Sequence, residues 1–397
     1  MNNGTLIAIG IAAAVGTIFG VALAIPSIID QAPEAGEIAE GDTTETGCSI
    51  ESISSFRGVN FAVPILVAKH DTIQNFNAPI YYVSKSLKIL HDNGFNLIRV
   101  PYHWEAFESY PDNFLNGIEN IASEADRYDI CVIFDFHQYR TSSYFGSGQS
   151  GFPWFLLQNY AKDDPMSQKS FWADFYDDEI IVDGKSAWDW HVDFITQIIE
   201  RVDKYDSVLG YEIINEPHAY DNSQFDKIGK YHKYIAQNIR KQTEKYIFFD
   251  EPIPAKKWGG AVILRTSQYL IPIAPSGVSN TVFAPHIYKV PAPNTWASNQ
   301  IAKYKTLSNI WGGLPVFIGE FAAGNEEDMN AFIDTFEQSE FGYAYWIWKP
   351  KTIKDDTDLN KTHLINNDLE PTIYLQYLSN SVSKYHGESN IPESPNE

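Results

Sequence analysis

The sequence predicts an α/β fold: a (β/α)8 barrel with a long insertion after its third strand, preceded by an N-terminal hydrophobic helix and an acidic linker. Three observations predict it. Eight short apolar runs alternate with longer helical patterns between Ser49 and Tyr385. The runs are nearly continuous in apolar character, as strands of a parallel sheet covered on both faces are. Polar residues end the runs, and in a barrel those ends converge on one rim. A doubly wound sheet is the rival fold, but no glycine-rich dinucleotide turn follows the first strand.

The first segment, residues 1–29, reads as a signal-anchor or a signal peptide. Residues 6–29 carry no charge, and 6–25 is about the length that spans a bilayer. Small residues near Ala22 and Ala32 suit a cleavage site, whereas the length of the run favours an uncleaved anchor. No basic residue precedes Arg57, so the flanks do not orient the segment. The expectation is a membrane-anchored protein with an extracellular catalytic domain, or a secreted one after cleavage. Residues 30–48 are acidic and read as a flexible linker.

The domain proper spans 49–385. Strands are expected at 56–60, 96–101, 130–136, 208–214, 246–250, 281–287, 315–320 and 342–348. Helices are expected at 83–93, 118–128, 188–204, 226–244, 299–308, 328–338 and 372–385. Residues 138–185 form the long insertion, rich in Tyr, Phe and Trp among Gly, Ser and Asp. Loops of that length inside a compact domain carry function or local structure. Residues 386–397 are a polar tail.

Composition narrows the function. Of 397 residues, 29 are Lys or Arg and 51 Asp or Glu, a net charge of −22 that repels phosphate backbones and argues against nucleic-acid binding. Two cysteines, Cys48 and Cys131, supply neither a disulfide framework nor a Cys-based zinc site. Cys131 reads as a small buried hydrophobe, or, outside the cell, as a partner for Cys48. Ten Trp, 23 Tyr and 24 Phe suit a thick core or a sugar cleft.

The strand ends are the informative residues. They carry Arg99, His137, Asn215-Glu216-Pro217, His286, Tyr288, Glu320 and Trp346. Two glutamates on opposite strands are what glycosidic cleavage requires, one protonated to donate and one ionised to attack. Arg99 and Tyr288 are placed to hold Glu320, and Asn215 to bond the hydroxyl beside the reacting carbon. This set resembles glycoside hydrolase family 5, the cellulase-type barrel glycosidases, from Phe56-Arg57-Gly58-Val59-Asn60 to Tyr345-Trp346. The resemblance implies Glu216 as acid/base and Glu320 as nucleophile. It implies Arg99, His137, Asn215, His286, Tyr288 and Trp346 as substrate-binding residues.

The expected activity is retaining cleavage of internal β-glycosidic bonds, with endo-β-1,4-glucanase first, and β-mannanase or a glycolipid-cleaving glycosidase as alternatives. An inactive surface carbohydrate-binding protein is the rival from another class. No cofactor or metal is expected, since the histidines show no zinc-type spacing. The expected partner is a β-linked polysaccharide or oligosaccharide, bound by a monomer. Arg57 and Asn60 read as structural. His103, Trp104, Glu105 and His218 divide evenly between substrate contact and packing. Trp154 and Trp172 of the insertion are the leading candidates to stack on sugar, against a rival role as anchors.

Overall fold

The computed structural model describes Cys48 and residues 50–63, 66–67, 80–254, 265–288, 293–349, 362–366 and 368–386. The expected signal or anchor segment, nearly all of the linker and the polar tail lie outside the described residues. The barrel strands are β1 (Arg57–Phe61), β2 (Leu97–Tyr102), β3 (Cys131–Phe136), β4 (Val208–Glu212) and β5 (Tyr246–Phe249). After them come β6 (Thr281–Phe283), β7 (His286–Tyr288), β8 (Phe317–Ala322) and β9 (Gly342–Trp348). All pair in parallel, in the order β6-β5-β4-β3-β2-β1-β9-β8-β7.

The sixth expected strand is broken at Ala284-Pro285, because proline has no N–H to give the ladder. Its halves, β6 and β7, face opposite neighbours, and the parallel bridge between Phe283 and Val316 closes the ring. Eight expected strands thus appear as nine segments of one closed sheet.

The helices are α1 (Ile80–Asp92), α2 (Trp104–Ser109), α3 (Pro111–Arg127), α4 (Pro165–Tyr176), α5 (Ala187–Val202) and α6 (Phe225–Arg240). They continue with α7 (Ser267–Leu270), α8 (Pro293–Ile310), α9 (Glu326–Glu337) and α10 (Ile373–His386). α3 shows why they form: Pro111 starts it, and Phe114, Ile118, Ile121, Ala122 and Ala125 recur on one buried face. That face packs against the outside of the sheet, in a core shared with Val132, Phe134 and Phe136.

Inside the barrel the residues separate by height. A lower layer contains Phe56, Leu97, Cys131, Ile133, Phe248, Val282, Phe317 and Ala344. Cys48 is disulfide-bonded to Cys131 and packs under this layer with Ile53. The second reading of Cys131 therefore holds. Arg57, expected to be structural, donates to the Ser54 carbonyl and pairs with Glu337 of α9. The upper layer is polar.

Candidate active site

Arg99 of β2 is fully buried at the centre of that polar layer. Its Nε and Nη2 donate to the two oxygens of Glu212 at 2.7 and 2.8 Å. Nη1 donates to Asn60 Oδ1 at 2.7 Å and to Glu320 Oε1 at 2.9 Å. Nη2 also reaches Asn215 Oδ1 and Asp135 Oδ2, both at 3.0 Å. A guanidinium serves here because its planar fork of five donors meets several acceptors at once. Asn60 is fixed in turn by donating to the Gly319 carbonyl at 3.0 Å. It is structural, as expected, and its task is to hold Arg99.

Glu320 accepts from Arg99 on one oxygen and from the Tyr288 hydroxyl on the other. Both donors suit an anion and aim its oxygens. Glu216 is held differently. Its backbone has φ +43°, an uncommon conformation for a side-chain-bearing residue, with a cost of about 1–3 kcal/mol. The surroundings impose it: the Glu216 N–H donates to Asp250 Oδ2 at 3.0 Å, and Gln138 Nε2 donates to the Asn215 and Glu216 carbonyls. The Glu216 side chain keeps some exposure while burial raises its pKa. One oxygen from each glutamate and His286 Nδ1 lie within 4.8 Å of one another.

His286 Nδ1 is 3.0 Å from Glu216 Oε1 and 3.4 Å from Glu320 Oε2. Burial pushes His286 down to about 4, so the ring is neutral near pH 7 and can exchange a hydrogen bond with a protonated Glu216. His137 is likewise pushed by burial to about 4, with Nδ1 at 2.8 Å from Asp135. Its ring lies parallel to Trp346 at 5.2 Å. Trp346 keeps partial exposure and Trp348 is fully buried, so one indole of that strand is open to a ligand and the other packs. The peptide between Trp346 and Ile347 is cis.

All eight motif-matched residues thus meet on one rim. The sequence alone assigns no role to Asp135, a polar end of the third strand, or to Glu212, Asp250 and Glu251, and all four are buried. Burial raises Asp135 to about 7 against the pull of Arg99, and raises Asp250 well above the usual carboxylate range. A signal existed: Glu212 is a lone charge inside the apolar run 208–214, and Asp250-Glu251 ends the run 246–250 as a charged pair. Glu212, Asp250 and His286, and Glu216, His286 and Glu320, have ligand-like spacing. The Arg99 guanidinium among these carboxylates is a competing cation, bonded to both Glu212 and Glu320.

The insertion corrects the stacking expectation for Trp172. Trp172 of α4 is fully buried, donates to Thr141 Oγ1 at 2.6 Å, and packs on Phe152, Phe175 and His218. No face of it is left for a sugar. Trp154 donates to Ser143 Oγ at 3.1 Å, and the Lys162 ammonium stands over its ring at 4.3 Å. Trp172 is therefore an anchor, whereas Trp154 is only half-buried. Glu105 anchors the insertion as well, accepting from Gly151 N at 2.9 Å and Ser143 Oγ. His103 bonds Ser150, and Trp104 stacks on Phe194 at 4.8 Å. His218 is buried against Trp172, and neither ring nitrogen has a partner among the described residues.

The family model for cellulase (glycosyl hydrolase family 5) matches residues 69–352. The chain belongs to glycosyl hydrolase family 5. Among curated proteins it is similar to an endoglycoceramidase of Cyanea nozakii, 30% identical over 170 residues, covering 34% of this chain and 33% of that protein. The chain therefore matches about a third of that relative's length. Among solved structures it resembles endo-glycoceramidase II from Rhodococcus sp. in its lactosyl-enzyme intermediate, with TM-score 0.62, 16% identity, and coverage of 82% and 78% of the two chains. An endogalactoceramidase gives 0.62 at 17% identity, covering 83% and 80%. XacCel5A in complex with cellopentaose gives 0.54 at 16%, covering 82% and 98%. At these identities the likeness is one of fold.

Proposed function

We propose that this family 5 protein is a retaining β-glycosidase. The observation that supports it is the spacing of Glu216 and Glu320, whose nearest oxygens lie within 4.8 Å. Retaining enzymes hold their carboxyls roughly 5–5.5 Å apart, and inverting ones roughly 6.5–9.5 Å to admit a water. Glu320 attacks the anomeric carbon, and the bond to the leaving oxygen breaks as that oxygen takes the Glu216 proton. Glu216, now a carboxylate, removes a proton from water, which attacks the same carbon and breaks the ester to Glu320.

For substrate, a β-1,4-glucan cut internally is the first reading, supported by the cellulase family itself. Glycolipid cleavage is the second, supported by the endoglycoceramidase relative. An extracytoplasmic setting is also proposed, on the Cys48–Cys131 disulfide and the charge-free run at 6–29. The test of the reaction is azide rescue. Glu216→Ala should cleave aryl glycosides with good leaving groups, and azide should give a β-glycosyl azide. Glu320→Ala should be inactive on every substrate. A retained azide product from the Glu320 variant instead would reverse the two roles.

A further inference from the structure

Glu216 and His286 line a cavity of about 370 Å³ together with Ile253, Arg265, Tyr288, Trp296, Gln300 and Lys303. Its charge is unusual for a protein of net −22. Arg265 and Lys303 share a single carboxylate, Glu251: Arg265 Nη2 pairs with Oε1, and Lys303 Nζ reaches Oε2 at 3.0 Å. The Tyr304 hydroxyl also donates to Glu251 Oε1, at 2.7 Å, so that carboxylate is fully engaged. Two cations against the one anion they touch leave one positive charge over while Glu216 carries its proton and Asp250, raised well above the usual carboxylate range by burial, carries its own.

Two further observations agree. Arg265 Nε is buried with no acceptor among the described residues. Burial, followed by repulsion from Arg265, pushes the Lys303 ammonium below its ordinary value even with Glu251 in contact. A surplus cation at a half-buried pair is stabilised when an anion arrives.

We infer that this cavity receives a leaving group bearing an anionic substituent, a carboxylate, sulfate or phosphate placed one residue from the scissile oxygen. The inference rests on the proposed retaining reaction and adds its leaving-group specificity. Trp296 and Tyr288 offer apolar faces to the body of the leaving group, while Lys303 and Arg265 hold its charge. The anion could come from an acidic sugar in a polysaccharide or from a phosphorylated lipid headgroup.

The test uses paired aryl β-cellobiosides whose phenols are equally acidic, one neutral and one carrying a sulfonate. The full-length protein should favour the sulfonate by on the order of tenfold in kcat/KM, the worth of one charge-assisted hydrogen bond. Lys303→Gln should bring that ratio close to one. Equal rates, or a faster neutral substrate, overturn the anion site and leave the glycosidase standing. Hydrolysis of neither glycoside overturns both. The source is then read from two substrates, an oligosaccharide with a uronosyl residue after the scissile bond and a lactosyl alkyl phosphate. Preference for the first assigns an acidic polysaccharide, and preference for the second a phosphorylated glycolipid.

Discussion

Two glutamates of one chemistry are given opposite tasks by their neighbours. Glu320 takes hydrogen bonds from Arg99 and Tyr288, both donors to an anion. Glu216 has a neutral imidazole beside it and a pKa raised by burial, which keeps its proton available. The alkaline limb of kcat/KM should therefore follow Glu216 and lie above the usual carboxylate range. His218 offers a cleaner titration, because neither ring nitrogen has a partner among the described residues. Burial, with Arg140 adding to it, pushes it to about 3. The folded ring stays neutral while the unfolded one protonates below its ordinary value of about 6.5. Its contribution to stability is thus present above that pH and lost on acidification. His218→Phe keeps the ring stacked on Trp172 and removes the proton site. Unfolding curves should show wild type losing about 1.4 kcal/mol per pH unit relative to the variant between roughly pH 6 and 4. Parallel pH profiles would mean that His218 is protonated in the fold.

At the scale of elements, the insertion after β3 packs into the barrel's outer core, Phe152 against Phe136 at 5.2 Å and Phe175 against Tyr231 at 5.0 Å. Phe152 and Trp172 pack edge to face on Phe171 and Phe175, which stack on each other, with ring centroids 5.1–5.8 Å apart, and all four are buried. Trp172→Ala should cost roughly 3–5 kcal/mol in denaturant unfolding, while the preference among glucan, mannan and glycolipid substrates stays as in wild type. A normal melting midpoint with weakened oligosaccharide turnover would place the indole in the cleft after all. The sequence made the strands legible because parallel strands buried on both faces read as unbroken apolar runs, and the rim because polar residues end them. It hid the insertion's packing, since an aromatic that stacks on sugar and one that stacks on phenylalanine are the same letter. It also hid α4, whose buried residues Phe171, Trp172, Phe175 and Tyr176 sit in a segment read as loop. The carboxylates under Arg99 were missed for a related reason. Their partners come from strands distant in sequence, and only the register sets Asp135 beside Glu212.

Over the whole molecule, the barrel's two ends do different work. The rim carries the charge needed for catalysis, and the floor is closed by Cys48 and the turn of helix Ile50–Ser55. The carbonyl of Ile53 comes so close to Gly342 that a Cβ there would lie 2.0 Å from it. The disulfide joins that plug to the first residue of β3 across a sequence separation of 83. A cross-link over so long a loop restricts the unfolded chain by roughly 4–5 kcal/mol on the chain-entropy account, and losing a native one typically costs about 2–5 kcal/mol. The pair Cys48→Ser with Cys131→Ser should accordingly lower unfolding stability by about that amount. Because Cys131 starts the strand that carries Asp135 and His137 at its other end, the glutamate pair should keep its geometry. The variant's kcat/KM at 25 °C should then match wild type wherever it is folded. Thiol titration gives an independent reading: denatured, unreduced wild type should show no reactive thiol, and reduction should release two. Two thiols before reduction would mean that the floor is held by packing alone, and the stability difference should then shrink to that of two small buried side chains.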